Sequence, residues 1–83
     1  MENVVYMERQ IIGDNIRFLR KKAILSQSEL GEMIGVTGMT ISRIESGRGK
    51  INMDYLILIA EKLHVRVEDI LTENYMEKRF HVA

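Results

Sequence analysis

With 83 residues, 46% of them apolar, the chain has material for one domain with one small core and is too apolar for a disordered segment. The absence of cysteine excludes a disulfide-stapled module and any thiolate metal site, and it suits a reducing compartment. Net charge is zero, which argues against binding a polyanion unless the charge is unevenly placed. It is uneven: between Arg9 and Lys50 eight basic side chains stand against four acidic ones, a local +4 that leaves −4 to the flanks. One basic region beside acidic ends suits a local phosphate-binding surface, although an ordinary solvated surface carries imbalances of this size as well.

Residues 1–10 are expected to form an N-terminal arm. Val4, Val5 and Tyr6 make a short β-prone run, read as a frayed terminus or as a strand that pairs with another segment. The stretch is too short and polar for a signal peptide, and the apolar run Met53 to Ala60 is too short to span a bilayer. A soluble cytoplasmic protein is the expectation. The first helix is predicted over Ile11 to Ala23, with Ile12, Ile16 and Leu19 at i, i+4 and i+7, while Arg17, Lys21 and Lys22 point elsewhere. Phe18 falls off that stripe and needs a cover, from a terminal arm or a second subunit.

The stretch from Ser26 to Gly47, SQSELGEMIGVTGMTISRIESG, holds two short helical patterns around a break at Gly35-Val36. Ser26 is a good N-cap, and Glu29 three residues later completes a capping box. Leu30, Met33 and Ile34 recur at helical spacing, and Gly35 supplies the left-handed conformation that ends such a helix. Thr37 caps the next helix, whose Ile41 and Ile44 give it one apolar face. Gly31 leaves room for the two helices to approach closely. Two short helices joined by a glycine turn form a helix-turn-helix, whose second helix commonly lies in the DNA major groove.

Gly47-Arg48-Gly49-Lys50 follows as a flexible basic loop in which two glycines permit close backbone approach to a ligand. A fourth helix is predicted from Met53, with Asn52 as cap and Asp54 placed favourably for the helix dipole. Its core stripe reads Met53, Leu56, Ile57, Ala60 and Leu63. Tyr55 and Leu58 lie on another side, so the helix is apolar over more of its circumference than a monomer needs. Val67 to Leu71 forms a short fifth helix with Ile70 and Leu71 turned inward. Residues 73–83 have no clear period, and Phe80-His81-Val82 reads equally as strand, helix extension or loose tail. The fold expected is all-α, five helices around one core over residues 11–72, with the helix-turn-helix as the second and third.

The segments IRFLRKKAILSQSEL, GVTGMTISRIESG and LIAEKLHVRVEDIL together resemble the Xre family of phage Cro and repressor proteins, over about Ile12 to Leu71. The combination is specific where any one piece is weak. Two departures stand out: the family often has alanine in place of Gly31, which points to a looser second helix, and proline in place of Ile51. The resemblance implies a lambda-repressor-like fold in which Thr37 to Arg43 is the exposed part of a recognition helix. Met39, Thr40 and Arg43 are then candidates for base edges, with Ser42 a marginal one and Gly38 allowing close approach. The chemistry agrees, since arginine donates two hydrogen bonds to guanine O6 and N7 and a methionine thioether suits a thymine methyl. Met39 reads alternatively as a core or dimer contact, and Arg43 as a phosphate ligand. Phosphate candidates are Gln27, which in the family also braces the recognition helix, together with Thr37, Ser46, Arg48 and Lys50. Phosphate at a helix N-terminus is favourable on physical grounds as well.

Arg20 and Glu45 match a pair that forms a buried salt bridge in some family members, joining the first and third helices; two unrelated surface charges are the alternative. Dimer-interface candidates are Tyr55, Leu58, His64, Val65 and Arg66, with the tail. His64 and His81 have no partner at metal-ligand spacing, no serine lies in a nucleophile elbow and no glycine loop has phosphate-cradling spacing, so neither metal, cofactor nor enzymatic activity is expected. The function implied is a DNA-binding transcriptional regulator, a repressor acting as a homodimer on double-stranded operator DNA. A restriction-modification controller and an antitoxin use the same binding mode, and a protein-interaction module that no longer touches DNA is the alternative of another class.

Overall fold

The computed structural model describes residues 2–48 and 51–73, and the side chains from Glu8 onward. Five α-helices follow one another: α1 Glu2–Lys22, α2 Gln27–Ile34, α3 Gly38–Glu45, α4 Met53–Leu63 and α5 Val67–Leu71. There is no strand among the described residues. No helix among them is long and apolar enough to cross a membrane.

The largest departure from expectation is the start of α1. Residues 2–10 are helical and continuous with the predicted helix, not an arm of another conformation. The reason is cooperative: extending a formed helix by one residue gains one hydrogen bond, and the penalty for valine or tyrosine is well under ~1 kcal/mol each. The end of α1 was placed correctly to within a residue, but its stop is unusual. Ile24 carries φ +59° while its N–H bonds to Lys21 O at 3.0 Å and that of Leu25 to Arg20 O at 3.1 Å. This is the paired hydrogen bonding of a Schellman stop, built on a β-branched residue whose side chain is 88% exposed.

The caps of the central helices follow local chemistry. Ser26 Oγ accepts from Glu29 N at 2.9 Å, and the Glu29 carboxylate accepts from Ser26 N at 2.8 Å. The bond from Ser26 N–H, helped by the Ser26 hydroxyl, keeps the Glu29 carboxyl below its ordinary pKa. Gly35 ends α2 at φ +81°. A Cβ on Gly31 would lie 2.7 Å from Val36 O and 2.9 Å from Thr37 C, so glycine here lets the turn pass close against α2. Asn52 Oδ1 accepts from Asp54 N at 2.7 Å to start α4, and His64 in a left-handed conformation, φ +58°, ends it.

The core joins all five helices through Ile16, Leu19, Leu30, Ile34, Ile41, Ile44, Leu56, Ile59, Ala60 and Ile70. Four predicted core positions are exposed instead: Met33, Met53, Ile57 and Leu71. On α4 the fully buried Ile59 takes the place given to Ile57. Leu56-Ile57-Leu58-Ile59 is an unbroken apolar run, so a 3.6-residue period fits two stripes equally and packing selects one. Phe18, Tyr55 and Leu58 are half-buried against this same core. Phe18 is therefore partly covered from within the chain, and the apolar side chains that α4 leaves outermost are Met53 and Ile57 rather than Tyr55 and Leu58.

One buried polar group ties the two ends of the fold together. Asn15, 2% exposed, donates its side-chain amide to Ile70 O at 2.7 Å and Thr72 O at 3.0 Å. It thereby satisfies carbonyls that the end of α5 leaves without helical partners.

Candidate nucleic-acid interface

The site is assembled from α2, the glycine turn and α3. Thr37 is extended, and its Oγ1 accepts from Thr40 N at 3.2 Å, so α3 begins at Gly38. The two threonine hydroxyls also lie 3.2 Å apart, which orients Thr40 toward the cap. From there the 3.6-residue period divides α3 cleanly. Ile41, Ile44 and Glu45 face inward and are buried, whereas Met39 is 66% exposed and Arg43, one turn later, is exposed beside it. Thr40 and Ser42 are half-buried on the two margins of that face. Met39 is thus not a core residue. Gly38 is half-buried, and its missing side chain is used by the fold: a Cβ there would stand 2.8 Å from Ser28 Oγ in α2.

The inner face of α3 is fixed by a charge network. Glu45 receives Arg20 Nε at 2.6 Å and Nη2 at 3.0 Å, and Gln27 Nε2 at 3.1 Å. The Arg20 and Glu45 side chains are 9% and 3% exposed, so the predicted pair is a buried bidentate bridge and not two surface charges. Arg20 Nη1 also donates to Leu25 O at 2.8 Å. The hydrogen bond to Glu45 raises the Arg20 pKa above its ordinary value against the opposing effect of burial. One carboxylate therefore joins α1, the first residue of α2 and the last residue of α3. Gln27 braces α3 directly through this bond, the structural half of the role expected of it.

The phosphate candidates lie around the rim. Thr37, Ser46 and Arg48 are exposed, and Gln27 is half-buried at the start of α2. Ser46 Oγ donates to Arg43 O at 3.1 Å, and Arg48 N donates to the same carbonyl at 3.0 Å, so the start of the basic loop is tied to the last turn of α3. Lys50 lies outside the described residues, as do residues 74–83 of the expected tail. The expected dimer residues are dispersed in character. Tyr55, Leu58 and Val65 pack partly on the core, His64 is an exposed helix cap, and the exposed Arg66 pairs with Asp69 at 3.5 Å.

Two residues that position α1 against other helices escaped the sequence reading. Asn15 gave no sign, because an asparagine in a helix is ordinarily on the surface. Gly13 did give one, since glycine inside a predicted helix is unfavourable and usually has a packing reason: a Cβ on it would stand 2.5 Å from the carbonyl oxygens of Ile44 and Glu45.

The sequence profile of the helix-turn-helix family matches residues 16–70. Among curated relatives, antitoxin PezA of Streptococcus pneumoniae is 33% identical over 66 residues, 80% of this chain and 42% of its own length. Repressor protein C2 of Salmonella phage P22 is 32% identical over 78% of this chain and 30% of its own length. The chain therefore spans less than half of either of these relatives. Control protein C.SmaI of Serratia marcescens is 28% identical over 84% of both chains. Among solved structures, a hypothetical transcription factor, NHTF, from Neisseria shares the fold at a TM-score of 0.79, with 24% identity, over 87% of this chain and 83% of that one. The clp gene regulator ClgR of Corynebacterium glutamicum aligns at 0.72 with 27% identity, over 76% and 67%.

Proposed function

Because the chain belongs to the helix-turn-helix family, we propose that it is a sequence-specific regulator of transcription that binds double-stranded operator DNA with α3 in the major groove. The observation that carries this reading is the division of α3: a buried face locked by Arg20, Gln27 and Glu45, and an outward face presenting Met39 and Arg43. A helix anchored this firmly on one side can hold a rigid set of side chains against base edges. In that pose Arg43 reads a guanine and Met39 a thymine methyl, with Thr40 and Ser42 beside them. Gln27, Thr37, Ser46, Arg48 and Lys50 hold phosphates, which fix the register without carrying sequence information.

One such helix reads a few base pairs, so the protein acts as a homodimer on an inverted repeat with half-sites roughly 34–36 Å apart. It works as a cytoplasmic repressor without catalytic activity or cofactor. The relatives named as a phage repressor, a control protein and an antitoxin support a regulatory role. The control protein is matched along 84% of its own length, which favours a controller that activates as well as represses as the second reading.

The test is selection of bound sequences from a random DNA pool, followed by the salt dependence of binding to the winner. An enriched inverted repeat whose affinity falls steeply with salt is expected. A pool without enrichment, bound weakly and released at physiological salt, would replace this reading with that of a protein-interaction module.

A further inference from the structure

The helix that carries Met39 and Arg43 touches its neighbours backbone to backbone at both ends. At its start, a Cβ on Gly38 would stand 2.8 Å from Ser28 Oγ and 3.0 and 3.1 Å from Ser28 N and Cα. At its end, a Cβ on Gly13 of α1 would stand 2.5 Å from both Ile44 O and Glu45 O. Carbon and carbonyl oxygen do not approach so closely, so an alanine at position 13 must push α1 and the end of α3 apart.

Space alone accounts for this glycine. Gly13 lies in the interior of α1, where glycine is a poor helix former, and it is not among the residues of positive φ. The carbonyls it faces are the last two of α3, and the neighbouring segment bears on DNA directly. Arg43 lies in that final turn, and its carbonyl holds Ser46 Oγ and Arg48 N. One turn back along α1, Gln10 approaches the following loop, where a Cβ on Gly47 would stand 2.9 Å from Gln10 Oε1. The Gln10-to-Gly13 stretch is therefore the seat of the C-terminal end of α3 and of the loop that leaves it.

We propose that Gly13 is a positioning residue for DNA reading: it sets the spacing between α1 and the end of α3, and with it the depth at which Arg43 meets a base edge. Gly38 does the same against α2 at the other end. This rests on the DNA-binding reading above. Relieving a 2.5 Å contact requires a shift of several tenths of an ångström. That is comparable with the whole range of roughly 2.7–3.2 Å that a base-edge hydrogen bond tolerates. Phosphate contacts from long side chains absorb such a shift; a bidentate guanine contact does not.

The experiment compares Gly13→Ala, Gly38→Ala and the control Asn15→Ala with the parent. Asn15 donates to Ile70 O and Thr72 O, so alanine there strands two carbonyls around the end of α5 and lowers stability without pushing α2 or α3. Affinity for the selected operator and for an unrelated duplex is measured at one salt concentration, below each variant's melting temperature. Gly13→Ala is expected to lose about tenfold or more in the operator-to-unrelated ratio, the scale of one lost bidentate base contact, while its affinity for the unrelated duplex stays near the parent's. Asn15→Ala is expected to melt lower and keep the parent's ratio. A Gly13→Ala ratio equal to the parent's would overturn the proposal, and so would an equal loss in Asn15→Ala, because the effect would then follow stability. Should Gly13→Ala fail to fold, Gly38→Ala decides, alone and with Ser28→Ala, which removes its closest obstacle: a reduced ratio that Ser28→Ala raises again supports the proposal, and an unchanged or unrestored one overturns it. A parent that enriches no operator refutes the DNA-binding reading itself. A parent with an operator and an unaffected Gly13→Ala refutes this inference alone.

Discussion

Replacing Glu45 with alanine removes a carboxylate that accepts three hydrogen bonds, two from Arg20 and one from Gln27. The Arg20 side chain is 9% exposed, so in the variant a guanidinium stays out of water with Leu25 O as its remaining acceptor of those seen here. Stranding one member of a buried pair costs about 3–5 kcal/mol. In a domain of this size, where 1 kcal/mol moves Tm by roughly 4–8 °C, Glu45→Ala should melt at least about 12 °C below the parent. The penalty comes from an uncompensated charge, not from the value of the bridge itself. The double variant Arg20→Met, Glu45→Leu should therefore recover most of the loss, since buried ion pairs exchange for apolar pairs at little net cost. Thermal melts by circular dichroism, with a denaturant titration of all variants, measure both effects. Arg20 has a raised pKa, so its contribution is complete below the unfolded value and is lost only in strong alkali. A Glu45→Ala variant melting within a few degrees of the parent would refute the reasoning, and a double variant no better than the single would refute the stranded-charge part of it.

Three further outcomes are expected. Glu29 has a lowered pKa because it accepts from the Ser26 backbone and side chain, so its share of stability is full above the ordinary carboxylate pKa and is lost as pH falls through the lowered one; Glu29→Gln keeps a capping acceptor and should flatten that part of the acid dependence of Tm, and identical acid profiles would count against it. Ile24→Gly relieves a β-branched residue at φ +59° whose side chain is 88% exposed, so relief of about 1–2 kcal/mol against a glycine entropy cost of roughly 0.5–1 should leave Tm slightly raised, whereas a clear fall would reveal a contact the exposed side chain makes. Arg43→Ala should lose about 1–3 kcal/mol of discrimination at one base pair of the operator, while Arg48→Ala should weaken all sequences alike and reduce the salt slope by about one; the reverse pattern would exchange their roles.

Most of the candidate site was legible before any coordinates because its chemistry is local. Ser26 and Glu29, Thr37 and Thr40, and Asn52 and Asp54 satisfy helix-end N–H groups from within two or three residues along the chain, so the residue types nearly specify the geometry. Gly35 is a similar case, needed where α2 must stop in a left-handed conformation. With α3 starting at Gly38, its helical period puts Ile41 and Ile44 on one side and Met39 and Arg43 on the other. The Arg20 and Glu45 pair is different: residues 25 positions apart became legible through resemblance, not through spacing.

What only the tertiary structure decided are the choices between patterns that are locally equivalent. The apolar run of α4 offers two stripes, and contact with the other helices buries Ile59 while leaving Met53 and Ile57 outside. The β-prone start of the chain became helix because extending α1 is cooperative while its residue preferences are weak. Ile24 adopts a backbone that isoleucine disfavours, since the chain has to turn there from α1 into the capped start of α2. Asn15 and Gly13 received their roles from partners that arrive from distant parts of the chain, the carbonyls of Ile70 and Thr72 for one and those of Ile44 and Glu45 for the other. A cap needs only its own turn, whereas a buried face, a long-range hydrogen bond or a missing side chain has meaning only beside the element that meets it.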